Sequence, residues 1–169
     1  MFDRLFTIVT DAARLEEADR RFDEYAAALN SYEIFQETYY DDPASFFFDC
    51  IEFEPTENPT EYQVDIAHKL TLSHRACVRS PHGAGKTTTA AWIILWFALT
   101  RDGRTDWKVV MTASVWRQLT KFLLPELRKW ARRLQWSNIG RPPFDMKYEM
   151  QILSLKLETG EAFTVASHD

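Results

Sequence analysis

Val78-Arg79-Ser80-Pro81-His82-Gly83-Ala84-Gly85-Lys86-Thr87 is the stretch whose reading decides the fold. Ala76-Cys77-Val78 runs into it as a short apolar strand, and Thr88 to Leu99 runs out of it as a long apolar helix pattern. Strand, glycine-bearing loop, Lys-Thr and helix form the arrangement that a nucleoside triphosphate needs. Loop N–H groups converge on the phosphates, and the helix N-terminus adds partial positive charge. On this reading Ser80, Pro81, Gly83, Ala84 and Gly85 form the cradle, and Thr88 continues it into the helix. Lys86 reaches the β and γ phosphates, and the Thr87 hydroxyl holds Mg²⁺. Against the spacing G-x-x-x-x-G-K-[ST], Ser80 takes the place of the first glycine. The competing reading is a strand–turn–helix connection that binds nothing. Gly83, Gly85 and Lys86 suit phosphate contact better than packing.

With 169 residues, 46% of them hydrophobic, the chain can bury one core, so one domain with or without an appendage is expected. Cys50 and Cys77 form no C-x-x-C pair, which points to a reduced, intracellular protein. No signal-peptide pattern opens the sequence, and the most apolar run, Ala90 to Leu99, is too short to span a bilayer. A soluble protein without membrane association is the expectation.

The formal charge of −5 hides a division. Residues 1–65 hold 17 Asp/Glu and 4 Arg, whereas residues 66–169 hold 8 Asp/Glu and 16 Lys/Arg. The asymmetry fits an acidic arm on a basic body that binds nucleotide or nucleic acid, or a solvated helical surface. Three regions follow. Asp11 to Asn30 predicts a helix with Ala12, Leu15, Phe22, Ala26 and Leu29 on one apolar face. Tyr32 to Thr60, aromatic and acidic with Pro43, Pro55, Pro59 and Phe46-Phe47-Phe48, predicts an irregular segment wrapped onto the body. The division expected is thus a helical and irregular acidic arm over 1–60 and a nucleotide-binding body over 61–169.

The body reads as α/β: a helix over Tyr62–Leu72, the strand and loop, the loop helix, a strand over Trp107–Ala113 and a helical stretch over Trp116–Leu134. A hairpin, Met150–Leu157 and Ala162–Val165, turns at Glu158-Thr-Gly-Glu161. In the helical stretch, Trp116, Leu119, Leu123, Leu127, Trp130 and Leu134 share one face, and Arg117, Lys121, Arg128 and Arg132 another. Pro125 predicts a kink or a break near Leu124. The basic face suits a nucleic-acid backbone, a neighbouring subunit's nucleotide or plain solvent. His68, His74 and His168 have no metal-ligand spacing and read as surface or helix residues.

Two further pieces flank the loop. Asn58-Pro59-Thr60-Glu61-Tyr62-Gln63 opens a helix; a glutamine can pair with both edges of adenine, and a tyrosine can stack on it. Each also serves a helix start. Thr112-Ala113-Ser114-Val115-Trp116-Arg117-Gln118 follows the second strand in the layout by which helicase-like motors set a loop beside DNA.

Taken in this order, residues 58–134 resemble the ATPase domain of the large terminase subunit of tailed bacteriophages. The matching pieces are Glu61-Tyr62-Gln63, the loop through Lys86-Thr87, Ala90-Ala91-Trp92 with Leu95-Trp96, Val109-Val110-Met111-Thr112-Ala113 and Gln118. The resemblance implies a P-loop NTPase of the RecA/ASCE type with a parallel-sheet core, truncated, with an N-terminal helical acidic arm. It implies that Tyr62 and Gln63 read adenine, that Lys86 is catalytic, and that Arg79 or His82 senses the γ-phosphate. ATP and Mg²⁺ are the implied cofactors. Double-stranded DNA, the portal, the small terminase subunit and further copies in a ring are the implied partners, in the host cytoplasm. Pro81 departs from the glycine frequent in related loops. No apolar strand ending in the Asp-Glu of a Walker B motif follows, and the family's nuclease domain is absent. The expectation is therefore the N-terminal third of such a subunit, binding nucleotide without efficient hydrolysis, with Arg128 and Arg132 candidates to act on a neighbour. A helicase-like ATPase of defence or repair and a non-enzymatic nucleotide-binding assembly module are the alternatives.

Overall fold

The structure is a computed structural model describing residues 2–165, with side chains from Arg14 onward except those of 25, 28 and 29. Ala12 and Leu29 of the expected apolar face, and His168 and Asp169, lie outside that description.

Helix α1, Phe2–Tyr39, overruns the predicted helix at both ends. Leu15 and Phe22 are 65% and 70% exposed, so the expected apolar face is not packed there. Packing begins at Tyr32, whose hydroxyl donates to the Leu99 carbonyl at 2.8 Å, and continues with buried Phe35. Helix α2, Pro43–Cys50, occupies part of the stretch expected to be irregular. The cause is local: Pro43 takes a first-turn position where its missing N–H costs nothing, and Asp42 caps the end. The Asp42 carboxylate accepts from the Ser45 N–H at 3.0 Å and the Ser45 hydroxyl at 2.6 Å. Phe46 and Phe47 are then fully buried, and Phe48 faces outward.

Helix α3, Glu61–Ser73, ends at His74 in the left-handed region, and α4, Lys86–Arg101, follows the loop. Strand β1, Trp107–Thr112, leads to a short helix α5, Trp116–Gln118, a π-helical turn, Leu119–Leu123, and α6, Leu124–Ala131. The π turn is the physical form of the predicted kink. Pro125 has no N–H to give the Lys121 carbonyl, and the Leu124 N–H bonds five residues back to Leu119 instead. A short helix α7, Trp136–Ile139, precedes strands β2, Ser154–Lys156, and β3, Gly160–Val165. The last two pair antiparallel as the expected hairpin.

Helix α4 is the centre of the core. Ala91, Trp92, Leu95, Trp96, Ala98 and Leu99 are all buried, against α1 and α2 on one side and α6 and the sheet on the others. Trp92 meets Trp130 of α6 edge-on at 5.1 Å, and Phe47 of α2 at 5.2 Å. The helix ends are satisfied reciprocally. Gln36 of α1 donates to the carbonyls of Leu99 and Asp102, and Trp96 Nε1 donates to the carbonyl of Tyr39.

The expected P-loop NTPase core with a parallel sheet is not what forms. The described chain is mostly helical, with one small mixed sheet ordered β1-β3-β2, where β1 and β3 are parallel. Ala76-Cys77-Val78, expected as the central strand, pairs with none of these strands, and all three residues are exposed. A three-residue apolar run cannot hold strand geometry without a ladder neighbour. β1 finds its ladder neighbour in β3 of the hairpin instead.

Asp42→Ala should destabilise the fold by about 1 kcal/mol in chemical denaturation, the usual worth of an N-cap. Burial pushes the Asp42 carboxyl up, but the bonds from Ser45 outweigh it and hold the group below its ordinary 3.8. The contribution is therefore complete above that value and is lost as pH falls through the lower folded-state value. The gap between wild type and Asp42→Ala should narrow in acid.

Candidate functional site

Between α3 and α4 the chain makes a loop whose shape depends on two glycines. Gly83 and Gly85 have φ of +81° and +80°, the left-handed region that side-chain-bearing residues avoid. At Gly85 a second constraint acts: a Cβ there would stand 2.9 Å from Gln63 Nε2, whereas one at Gly83 would meet nothing.

Gln63 is the brace under the loop. It is 5% exposed, and its Oε1 accepts from the Thr60 N–H at 2.9 Å and the Thr60 hydroxyl at 3.0 Å. Its Nε2 donates to Thr89 Oγ1 at 3.0 Å, and that hydroxyl donates to the Gly85 carbonyl. The start of α3 and the start of α4 are thereby locked together, one Gln serving both. The adenine-reading role expected for Gln63 requires an amide edge that this network occupies.

The first backbone N–H to bond within α4 is that of Thr89, to Gly85 O, and no side chain caps the helix. The N–H groups of Lys86, Thr87 and Thr88 therefore point out of the helix end, where an anion is favoured. Lys86 Nζ donates to the carbonyls of Ser80 and Pro81 at 2.8 and 2.7 Å and to Ser80 Oγ at 3.1 Å. Those three acceptors hold the ammonium over the loop, where a phosphate oxygen would compete for it. His82, Gly83, Ala84, Gly85, Lys86, Thr87 and Thr88 form one wall of a cleft of ≈ 390 Å³. The opposite wall is Lys121, Phe122, Pro125 and Glu126, from the π turn and α6. Glu126 Oε1 accepts from Thr88 Oγ1 at 2.8 Å and from Trp130 Nε1 at 2.7 Å, tying the two walls.

Thr87, expected to hold Mg²⁺ through its hydroxyl, is exposed and lines this cleft. Among the described residues no cluster of three His, Cys, Asp or Glu forms a metal cage, and a phosphate-bound Mg²⁺ needs none because phosphate and water supply its remaining ligands. Arg79 and His82 are separated. His82 lies at the loop cleft, whereas Arg79 lies with Tyr62 in a second cleft of ≈ 400 Å³ that also holds Arg75 and Cys77. The Tyr62 hydroxyl is buried from solvent without a hydrogen-bond partner.

Arg128 is committed elsewhere, its guanidinium donating to the carbonyls of Gln151 and Ile152, while Arg117, Gln118 and Arg132 are exposed. Lys121, Phe122 and Glu126 were not singled out as site residues by the sequence reading. Lys121 lies within the π turn and shares its wall with Pro125, four residues on. No helix among the described residues is long and apolar enough to cross a membrane. No protein-family model, curated protein or solved structure matches the chain.

Gly85→Ala should cost more stability than Gly83→Ala, because both force a side chain into the left-handed region, about 1–2 kcal/mol each, and only the first also displaces Gln63. Thermal unfolding of the two variants side by side checks this; equal losses would mean that Gln63 does not brace the loop.

Proposed function

We propose that residues 80–88 bind the phosphates of ATP with Mg²⁺, and that the chain is the ATP-binding part of a large terminase subunit that drives double-stranded DNA into proheads. One observation carries the nucleotide reading. The unpaired N–H groups at the start of α4, two left-handed glycines and the Lys86 ammonium converge on one cleft. That convergence suits a polyphosphate and does not depend on a parallel sheet. In the bound state Lys86 exchanges its loop carbonyls for β and γ phosphate oxygens, and Thr87 holds Mg²⁺. On this reading the base sits in the neighbouring cleft, which Tyr62 and Arg79 line.

The terminase reading rests on the order of Glu61-Tyr62-Gln63, the loop and Thr112-Ala113 with Gln118 along the chain. In that setting the exposed Arg117 and Gln118 face DNA, and the portal, the small terminase subunit and a ring of copies complete a motor in the host cytoplasm. The residues at the loop supply binding and charge neutralisation. Glu126, the carboxylate lining the cleft, has Oε1 bonded to Thr88 and Trp130. Binding with negligible turnover is the activity this set supports.

Isothermal titration with Mg·ATP should show binding that Lys86→Ala weakens more than tenfold, since a charge-assisted contact contributes about 1.5–3 kcal/mol. Equal affinity of the two proteins contradicts the assignment. The cysteines give a second measurement. Cys77 is exposed beside Tyr62, whereas burial pushes the Cys50 thiol up to about 12. At neutral pH an alkylating reagent should modify Cys77 and spare Cys50. Saturating ATP should slow the Cys77 reaction severalfold; an unchanged rate would remove the base from that cleft.

A further inference from the structure

The loop reading leaves one charged side chain at the cleft unexplained. Lys121 stands on the wall facing Lys86, Thr87 and Thr88, is exposed, and forms no ion pair among the described residues. It lies inside the π turn, Leu119–Leu123. In an unbroken α-helix, residues 121, 128 and 132 lie on one face. Closing the turn five residues back, Leu124 N–H to Leu119 O, inserts an extra residue ahead of α6, and Lys121 lies inside that turn, on the same wall as Pro125 four residues on. Such turns are less stable than α-helix and concentrate at functional positions. Here the turn carries a second cation at the cleft that Lys86 also lines.

The two walls are also fixed relative to each other. Glu126 accepts from Thr88 Oγ1 in the first turn of α4 and from Trp130 Nε1 in α6, so the backbone bearing Lys121 is registered on the loop. Thr87 and Thr88 mark the end of the loop where the β and γ phosphates of a bound triphosphate lie. An ammonium opposite that end meets the charge that a triphosphate has and a diphosphate lacks.

Resting on the phosphate-binding reading of residues 80–88, we propose that Lys121 is a specificity-determining residue of this site. Its ammonium contacts the terminal phosphate of a nucleoside triphosphate and so separates triphosphate from diphosphate. The Thr88–Glu126–Trp130 bonds position it.

Calorimetric titration of the full chain with Mg·ATP and with Mg·ADP tests this, using wild type, Lys121→Ala and Lys121→Arg. The wild type should prefer ATP. Lys121→Ala should lose about tenfold in ATP affinity, the scale of one charged contact, with ADP affinity changed less than twofold. Lys121→Arg should keep most of the preference, because it keeps the charge. Circular dichroism melting confirms that each variant is folded, which Lys121's exposed position predicts. ATP binding by the wild type with no ATP-specific loss in Lys121→Ala overturns this proposal alone, and equal losses for ATP and ADP do the same. No binding of either nucleotide by the wild type overturns the loop reading and this proposal with it.

Discussion

Enclosure of α4 is the constraint on which the rest depends. The helix carries apolar residues on nearly all sides, with Ala91, Leu95, Ala98 and Leu99 fully buried, so it is stable only when surrounded. Each surrounding element contributes to the cover: Phe46 and Phe47 from α2, Phe35 from α1, Leu127 and Trp130 from α6 and Ala162 from β3. Because α4 begins at Lys86, the same enclosure fixes the helix end on which the loop rests. A core requirement and the loop's geometry therefore share one element.

The link from core to loop runs through polar contacts at the start of α4. Thr89 is 2% exposed and bonds both Gln63 and the Gly85 carbonyl. Thr88, one residue earlier, bonds Glu126. Successive threonines thus tie the helix start to α3 on one side and α6 on the other. A left-handed glycine sits at the junction because any side chain there would collide with Gln63.

The loop, the helices on either side of it, β1 and the final hairpin were legible in the sequence because each has a local signal. Those signals are the glycines with Lys-Thr, the Thr-x-x-Gln start of α3, the apolar run of α4 and alternation around Thr159-Gly160. The parallel-sheet core was not legible correctly. Ala76-Cys77-Val78 has strand composition, but a strand is a relation between segments, and β1 finds its partner in β3 instead. The helical state of 43–50 rests on the Asp42-Pro43 start, a short local signal inside a stretch whose aromatic density suggests irregular wrapping. At the site, spacing reads Ser80 through Thr88 as one loop, and the structure brings His82 through Thr88 together at one cleft. Lys121 was legible only as part of a basic stripe, because which element that stripe faces is a tertiary contact that no helical repeat reveals. Gln63 was legible as important, and its buried bonds give it the role of a brace.

The central claim is that the start of α4 and the loop before it form an anion site built from backbone N–H groups. Two-dimensional ¹H–¹⁵N spectra of the full chain, recorded while Mg·ATP is added, test it at the atoms concerned. The account predicts that the amides of Gly83 through Thr88 shift together and saturably, while those in the middle of α4 stay in place. Spectra that do not change, or shifts confined to residues away from this loop, would contradict it.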